Sequence, residues 1–135
     1  MDLFTIPFFN VLRTRLSWLE ARNQTLAENI ANADTPHFRP QDLKKLDFAH
    51  LLSDAQQQGV SMRVTDARHL PGATKRDAGP FKSVDAPDRE ATPDGNAVVL
   101  EDQMIKLSET QMAHETAISL YRKGLEMLRL AVRSG

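Results

Sequence analysis

A chain of 135 residues with 41% hydrophobic and 6% aromatic side chains fits a single domain with a thin, elongated core, because few large anchors are available to fill a broad one. Seventeen basic residues against eighteen acidic ones give a net charge of -1, without the basic excess that a phosphate backbone selects, so nucleic acid is not an expected partner. Cysteine is absent, which excludes disulfides, thiolate metal sites and cysteine nucleophiles.

The chain opens on Met1-Asp2-Leu3-Phe4-Thr5-Ile6-Pro7-Phe8-Phe9. This stretch is apolar but short, carries an acid where a signal peptide has a basic region, and lacks a small-residue cleavage site, so a cleaved secretory signal is not expected. No apolar run approaches the ~20 residues of a membrane-spanning helix, and membrane insertion is not expected either.

Proline and glycine mark where long helices can exist. Six of the seven prolines lie between Pro36 and Pro93, and Gly59, Gly72, Gly79 and Gly95 fall in or beside the same stretch. The chain therefore reads as helix, irregular insert, helix, with segments 1–36, 37–95 and 96–135. The first helix is predicted over 8–33. Its apolar face recurs by threes and fours at Phe9, Leu12, Leu16, Leu19, Asn23, Leu26, Ile30 and Ala33, a heptad seam. It ends where Pro36 pushes Thr35 out of helical geometry.

In the insert, residues 41–58 have a helical flavour, and 60–64 and 81–84 read as short strands. The last helix is predicted from Leu100 to Val132. Its expected seam is Leu100, Met104, Leu107, Gln111, His114, Ile118, Tyr121, Leu125, Leu128 and Val132. Asp94-Gly95 supplies a turn before it, Glu101 and Asp102 suit the positive end of its dipole, and Lys123, Arg129 and Arg133 lie toward the other end. Neither seam is stable in water alone, so the two helices are expected to pair as a coiled-coil-like bundle. The polar seam positions Asn23, Gln111 and His114 can fix its register. Trp18 lies beside the first seam and suits either a neighbour-facing surface or a partly buried core. The fold class is mainly α, with an irregular or small β-rich insert.

Chemistry is hard to find. His37, His50, His69 and His114 do not pair at helical spacing, so a metal centre is not expected. No serine or threonine stands in an activating motif, and Asp85, Asp88 and Glu90 read as a solvated loop. No enzyme and no cofactor are expected.

The most specific local signal is Asn29-Ile30-Ala31-Asn32-Ala33-Asp34-Thr35-Pro36, where the first helix stops. It resembles the N-I-A-N-x-x-T-P motif of flagellar rod and hook axial proteins, carried here by Asn29, Ile30, Ala31, Asn32, Thr35 and Pro36. Phe38-Arg39-Pro40-Gln41-Asp42-Leu43, the Thr65 to Leu70 stretch with His69, and Asp94-Gly95-Asn96-Ala97-Val98 are similar to segments of the FlgB type of proximal rod protein. The position after the proline, often glycine in that family, is His37 here, so a tight glycine turn is not assumed at this corner. The resemblance implies a structural subunit of the bacterial flagellar basal body rod, in the periplasmic space, that polymerises through its terminal helices for flagellar assembly and motility. It implies export without signal cleavage, with Phe4 and Phe8 engaging the flagellar type III export gate. The implied partners are copies of the chain, related rod proteins and the protein joining the rod to the export apparatus. A helical adaptor or homo-oligomeric scaffold unrelated to flagella also explains the heptads, but not the motif.

Overall fold

Pro7 begins the first helix with its φ already fixed for helical geometry and no N–H to leave unpaired, and no further breaker occurs until Pro36. In the computed structural model this is helix α1, Pro7–Ala31. The structure describes residues 7–57, 81–88 and 90–133, with the side chains of 52 and 54–57 outside the description. Four elements follow: β1, Gln41–Leu43; α2, Phe48–Gln57; β2, Ser83–Asp85; and α3, Leu100–Arg133. At ~1.5 Å per residue α1 and α3 are roughly 38 and 51 Å long.

The insert is simpler than its sequence suggests. Residues 41–43, expected to lean helical, are extended and pair antiparallel with β2, Gln41 opposite Asp85 and Leu43 opposite Ser83. The side chain of Asn29 holds both the carbonyl and the N–H of Gln41, so this backbone is committed to the extended form. The ladder continues through Ala86 N–H to Pro40 O and Lys44 N–H to Lys82 O. The helix begins only at Phe48, where Asp47 caps it by accepting the N–H of His50 at 3.1 Å. The strand expected at 60–64 lies outside the described residues.

Helix α1 is the centre of the molecule. It packs against α3 on one side and against β1 and α2 on the other, whereas among the described residues α3 packs against no helix or strand except α1. The core gathers Trp18, Leu19, Leu43 and Ala117, with Leu16, Leu46, Phe81 and Ala113 around it. Trp18 is 8% exposed. Its indole N–H donates to Lys44 O at 3.1 Å, its ring meets Phe48 edge-on, and the Arg22 guanidinium lies over it. Of the two sequence readings the core one holds, because Trp18 faces β1 and α2 while the seam faces α3. Arg22 then forks onto Asp42 with two bonds of 2.9 and 2.8 Å, tying the strand to the helix.

Candidate functional site: the helix pair and its polar junction

On α1 the expected seam residues Phe9, Leu12, Leu19 and Leu26 are buried and Leu16 and Ile30 half-buried, and Trp18 and Asn29, outside that seam, are buried as well. On α3 the burial falls elsewhere. The buried positions are Gln103, Thr110, Ala117 and Gly124, one every seventh residue. The expected seam residues Leu107, Ile118, Tyr121, Leu125 and Leu128 are half-buried at the edge of this line, while Leu100, Met104 and Val132 are exposed, Val132 to 81%. The contact line is rotated toward Thr110, Ala117 and Gly124, with Gln103 at its start. At Gly124 the reason is size: a Cβ there would lie 3.1 to 3.2 Å from the ring of Phe9, so the aromatic ring fits because nothing projects there. Phe9 meets Tyr121 edge-on at 5.2 Å and Phe8 at 5.5 Å. Phe8 is itself largely exposed. Phe4, the other member of the expected export pair, lies outside the described residues.

Of the polar seam positions, Gln111 is exposed and His114 half-buried. Asn23 places its Oδ1 in the interior with no hydrogen-bond partner.

The polar residues that do join the helices were not in the expected seam. Asn29 is buried and donates to Gln103 Oε1 at 2.8 Å, and it clips the backbone of Gln41 from both sides, donating to its O at 2.7 Å and accepting its N–H at 3.0 Å. Gln103 passes the chain on by donating to Asp88 Oδ2 at 2.7 Å. Asp88 also accepts the N–H of Val99, just before α3 begins, and a 2.6 Å charge-assisted bond from Lys106. The side chain of Asp88 is only 2% exposed, which corrects the solvated reading for this residue, though not for the exposed Asp85 and Glu90: Asp88 turns inward because three donors converge on it. Burial pushes its carboxyl pKa up, but the hydrogen bonds from Gln103, Lys106 and Val99 and the charge of Lys106 outweigh it, so the group sits below its ordinary value.

A second knot closes the corner after α1. Asn32 donates to Glu28 O and accepts from the Thr35 hydroxyl, ending the helix two residues short of the expected Ala33. Asn96 then donates to the carbonyls of Asn32 and Thr35 at 3.1 and 2.7 Å and accepts Val98 N–H through its Oδ1. Two motifs more than sixty residues apart are thereby one structural unit. Ile30 is half-buried, whereas Ala31 and Pro36 are exposed. His37 has φ 61° and donates its N–H to Asp94 O. The tight turn is present although glycine is not, with histidine held in the left-handed region at a cost of about 1 kcal/mol. Gly95, φ 80°, faces the His37 ring so closely that a Cβ there would collide with it.

The geometry suits rigid joining. A cleft of about 560 Å³ beside the corner is lined by His37, Arg39, Pro87, Glu90, Ala91, Gly95 and Ala97, a set that offers no nucleophile and base in tandem. Among the described residues no three His, Asp or Glu side chains converge on a possible metal position, and no helix is long and apolar enough to cross a membrane.

No family model matches the chain. It is 32% identical over 117 residues to a flagellar basal body rod protein FlgB of Cereibacter sphaeroides, covering 84% of each chain. It is also similar to the proteins of the same name from Aeromonas hydrophila, 29% over 126 residues and 93% of this chain, and from Escherichia coli K12, 26% over 120 residues and 84% of each. The chain therefore belongs to the FlgB family of flagellar basal body rod proteins.

Proposed function

We propose that this chain is a structural, non-catalytic subunit of the bacterial flagellar rod that polymerises with copies of itself and with related rod proteins, and that flagellar assembly and motility depend on it. The observation that carries the reading is that α1 and α3 pair within the subunit and yet leave large apolar side chains on the outer face of α3: Ile105, Met112, Leu120, Met127 and Leu130. A lone soluble subunit gains nothing from such a face, whereas an assembling one buries it. The polar knots at Asn29 and Asn96 give the subunit a stiff corner from which contacts can repeat without closing, the arrangement that generates a helical array.

Under this reading the subunit travels without signal cleavage through the flagellar export apparatus, with Phe4 and Phe8 as the apolar pair engaging its gate. It takes its place in the periplasmic segment of the rod, next to the protein that joins the rod to the export apparatus. Leu19→Asp tests the helix pair separately from export. It places a charge at a core position and spares Phe4 and Phe8, so the variant should leave the cytoplasm and fail to enter purified basal bodies. Its accumulation in intact basal bodies would overturn the proposal, as would normal rods by electron microscopy in cells lacking the chain.

A further inference from the structure

On a helical wheel of 100° per residue, Ile105, Met112, Leu120, Met127 and Leu130 fall within one 80° sector whose centre lies about 110° around the helix from the Gln103, Thr110, Ala117 and Gly124 line. They are 48% to 64% exposed, and among the described residues no element besides α1 packs against α3. The charges along α3 are also divided. Residues 100–116 carry Glu101, Asp102, Glu109 and Glu115 against Lys106, and Lys106 is already bonded to Asp88. Residues 117–133 carry Arg122, Lys123, Arg129 and Arg133 against Glu126. All of these except Lys106 are exposed, and none of the exposed ones forms an ion pair among the described residues. One half of the helix is thus the electrostatic complement of the other.

We infer that this face of α3 binds α3 of a second copy of the chain, parallel and staggered, so that the basic half of one copy lies along the acidic half of the next. The inference rests on the rod reading above and specifies its copy-to-copy contact. The stagger follows from the spacing: a shift of about 15 residues, roughly 22 Å, puts Leu120 beside Ile105 and Met127 beside Met112 of the next copy. The same shift brings Lys123 and Arg129 within about one residue of Glu109 and Glu115. Each copy then still offers an unused acidic half at one end and an unused basic half at the other, so the contact propagates instead of closing. An antiparallel pair also matches the charges but uses both halves of both helices at once and stops at two.

The absence of cysteine makes the register directly readable. Cells expressing two forms of the full chain, one with Met112→Cys and one with Met127→Cys, are expected to yield basal bodies in which mild oxidation links the two forms to each other, with little linkage of either form to itself. Basal bodies that contain both forms and give no mixed link would overturn the inference and leave the rod reading standing; absence of the wild-type chain from basal bodies would overturn the rod reading itself. A charge test uses different residues. Glu109→Lys with Glu115→Lys, or Lys123→Glu with Arg129→Glu, should each lower self-association of the purified chain at low salt at least tenfold, and mixing the two variants should restore it. Unchanged association of either variant, no restoration on mixing, or a wild-type particle that stops at two copies would contradict the staggered contact.

Discussion

The two faces of α3 reverse the usual arrangement of a surface helix. The face against α1 is centred on Gln103, Thr110, Ala117 and Gly124 with half-buried apolar residues along one edge, and an exposed flank carries Ile105, Met112, Leu120, Met127 and Leu130. Helix α1 follows the ordinary rule, with Phe9, Leu12, Leu19 and Leu26 inward and Asn10, Ser17, Glu20, Gln24 and Glu28 outward. The comparison teaches that Thr110, Ala117 and Gly124 let the larger side chains of α1 seat closely, so a second set of apolar residues on α3 is left for another surface. A helix read in isolation offers two apolar stripes, and only the partner decides which one becomes core.

The sharpest way to break this contrast is to place a charge on each face. Leu19→Asp, on the inner side at 2% exposure, is expected to cost about 4 kcal/mol or more, because an unpaired carboxylate enters the core. Met112→Asp on the outer face should change the stability of the monomer by less than about 0.5 kcal/mol while weakening assembly. Urea unfolding of the two variants checks both, and equal losses would erase the distinction between the faces.

The close approach at Gly124 is the next test. Gly124→Val should destabilise by about 1–3 kcal/mol, since its extra atoms meet the Phe9 ring and outweigh the gain in helix propensity. A variant as stable as the parent would mean that the small-residue line does not set the helix spacing.

At the polar junction, Asn29→Ala and Gln103→Ala should each cost about 1–3 kcal/mol, because each leaves buried polar partners unsatisfied. The double variant should lose less than the two single losses together, and the shortfall measures their coupling. Asp88 adds a pH signature. Its folded pKa is depressed, so its contribution is fully present above the unfolded carboxylate value of about 3.9 and is lost as pH falls through the lower folded value. Stability measured down the acid limb should fall below about pH 4, and Asp88→Asn should flatten that part of the curve. The smallest effect is expected at Asn23, whose Oδ1 is buried without a partner. Asn23→Leu should raise stability by about 1 kcal/mol, read as a higher unfolding midpoint.

Much of the architecture was legible because proline and glycine place the helix ends and α1 buries its most hydrophobic stripe. The α3 contact line was not, since apolar periodicity ranks Met104 and Leu100 above Thr110 and Gly124, and at Gly124 it is the Phe9 ring of the other helix that reverses that order. His37 also escaped: its left-handed φ is imposed by the bond to Asp94 and by Gly95 beneath its ring, contacts from a distant part of the chain. Asn29, Asn32 and Thr35 stood out as a motif, but their partners Asn96 and Gln103 are joined to them only by the fold. Asp88 carried no local signal, because its burial depends on Lys106 and Gln103 one helix away.

The central claim is that the outer face of α3 is open in the single subunit and covered in the assembled one. Thiol labelling of a Met112→Cys variant, compared between the purified monomer and isolated basal bodies, measures this directly. The account predicts rapid labelling in the monomer and at least tenfold slower labelling in the basal body. Equal rates in both would contradict it.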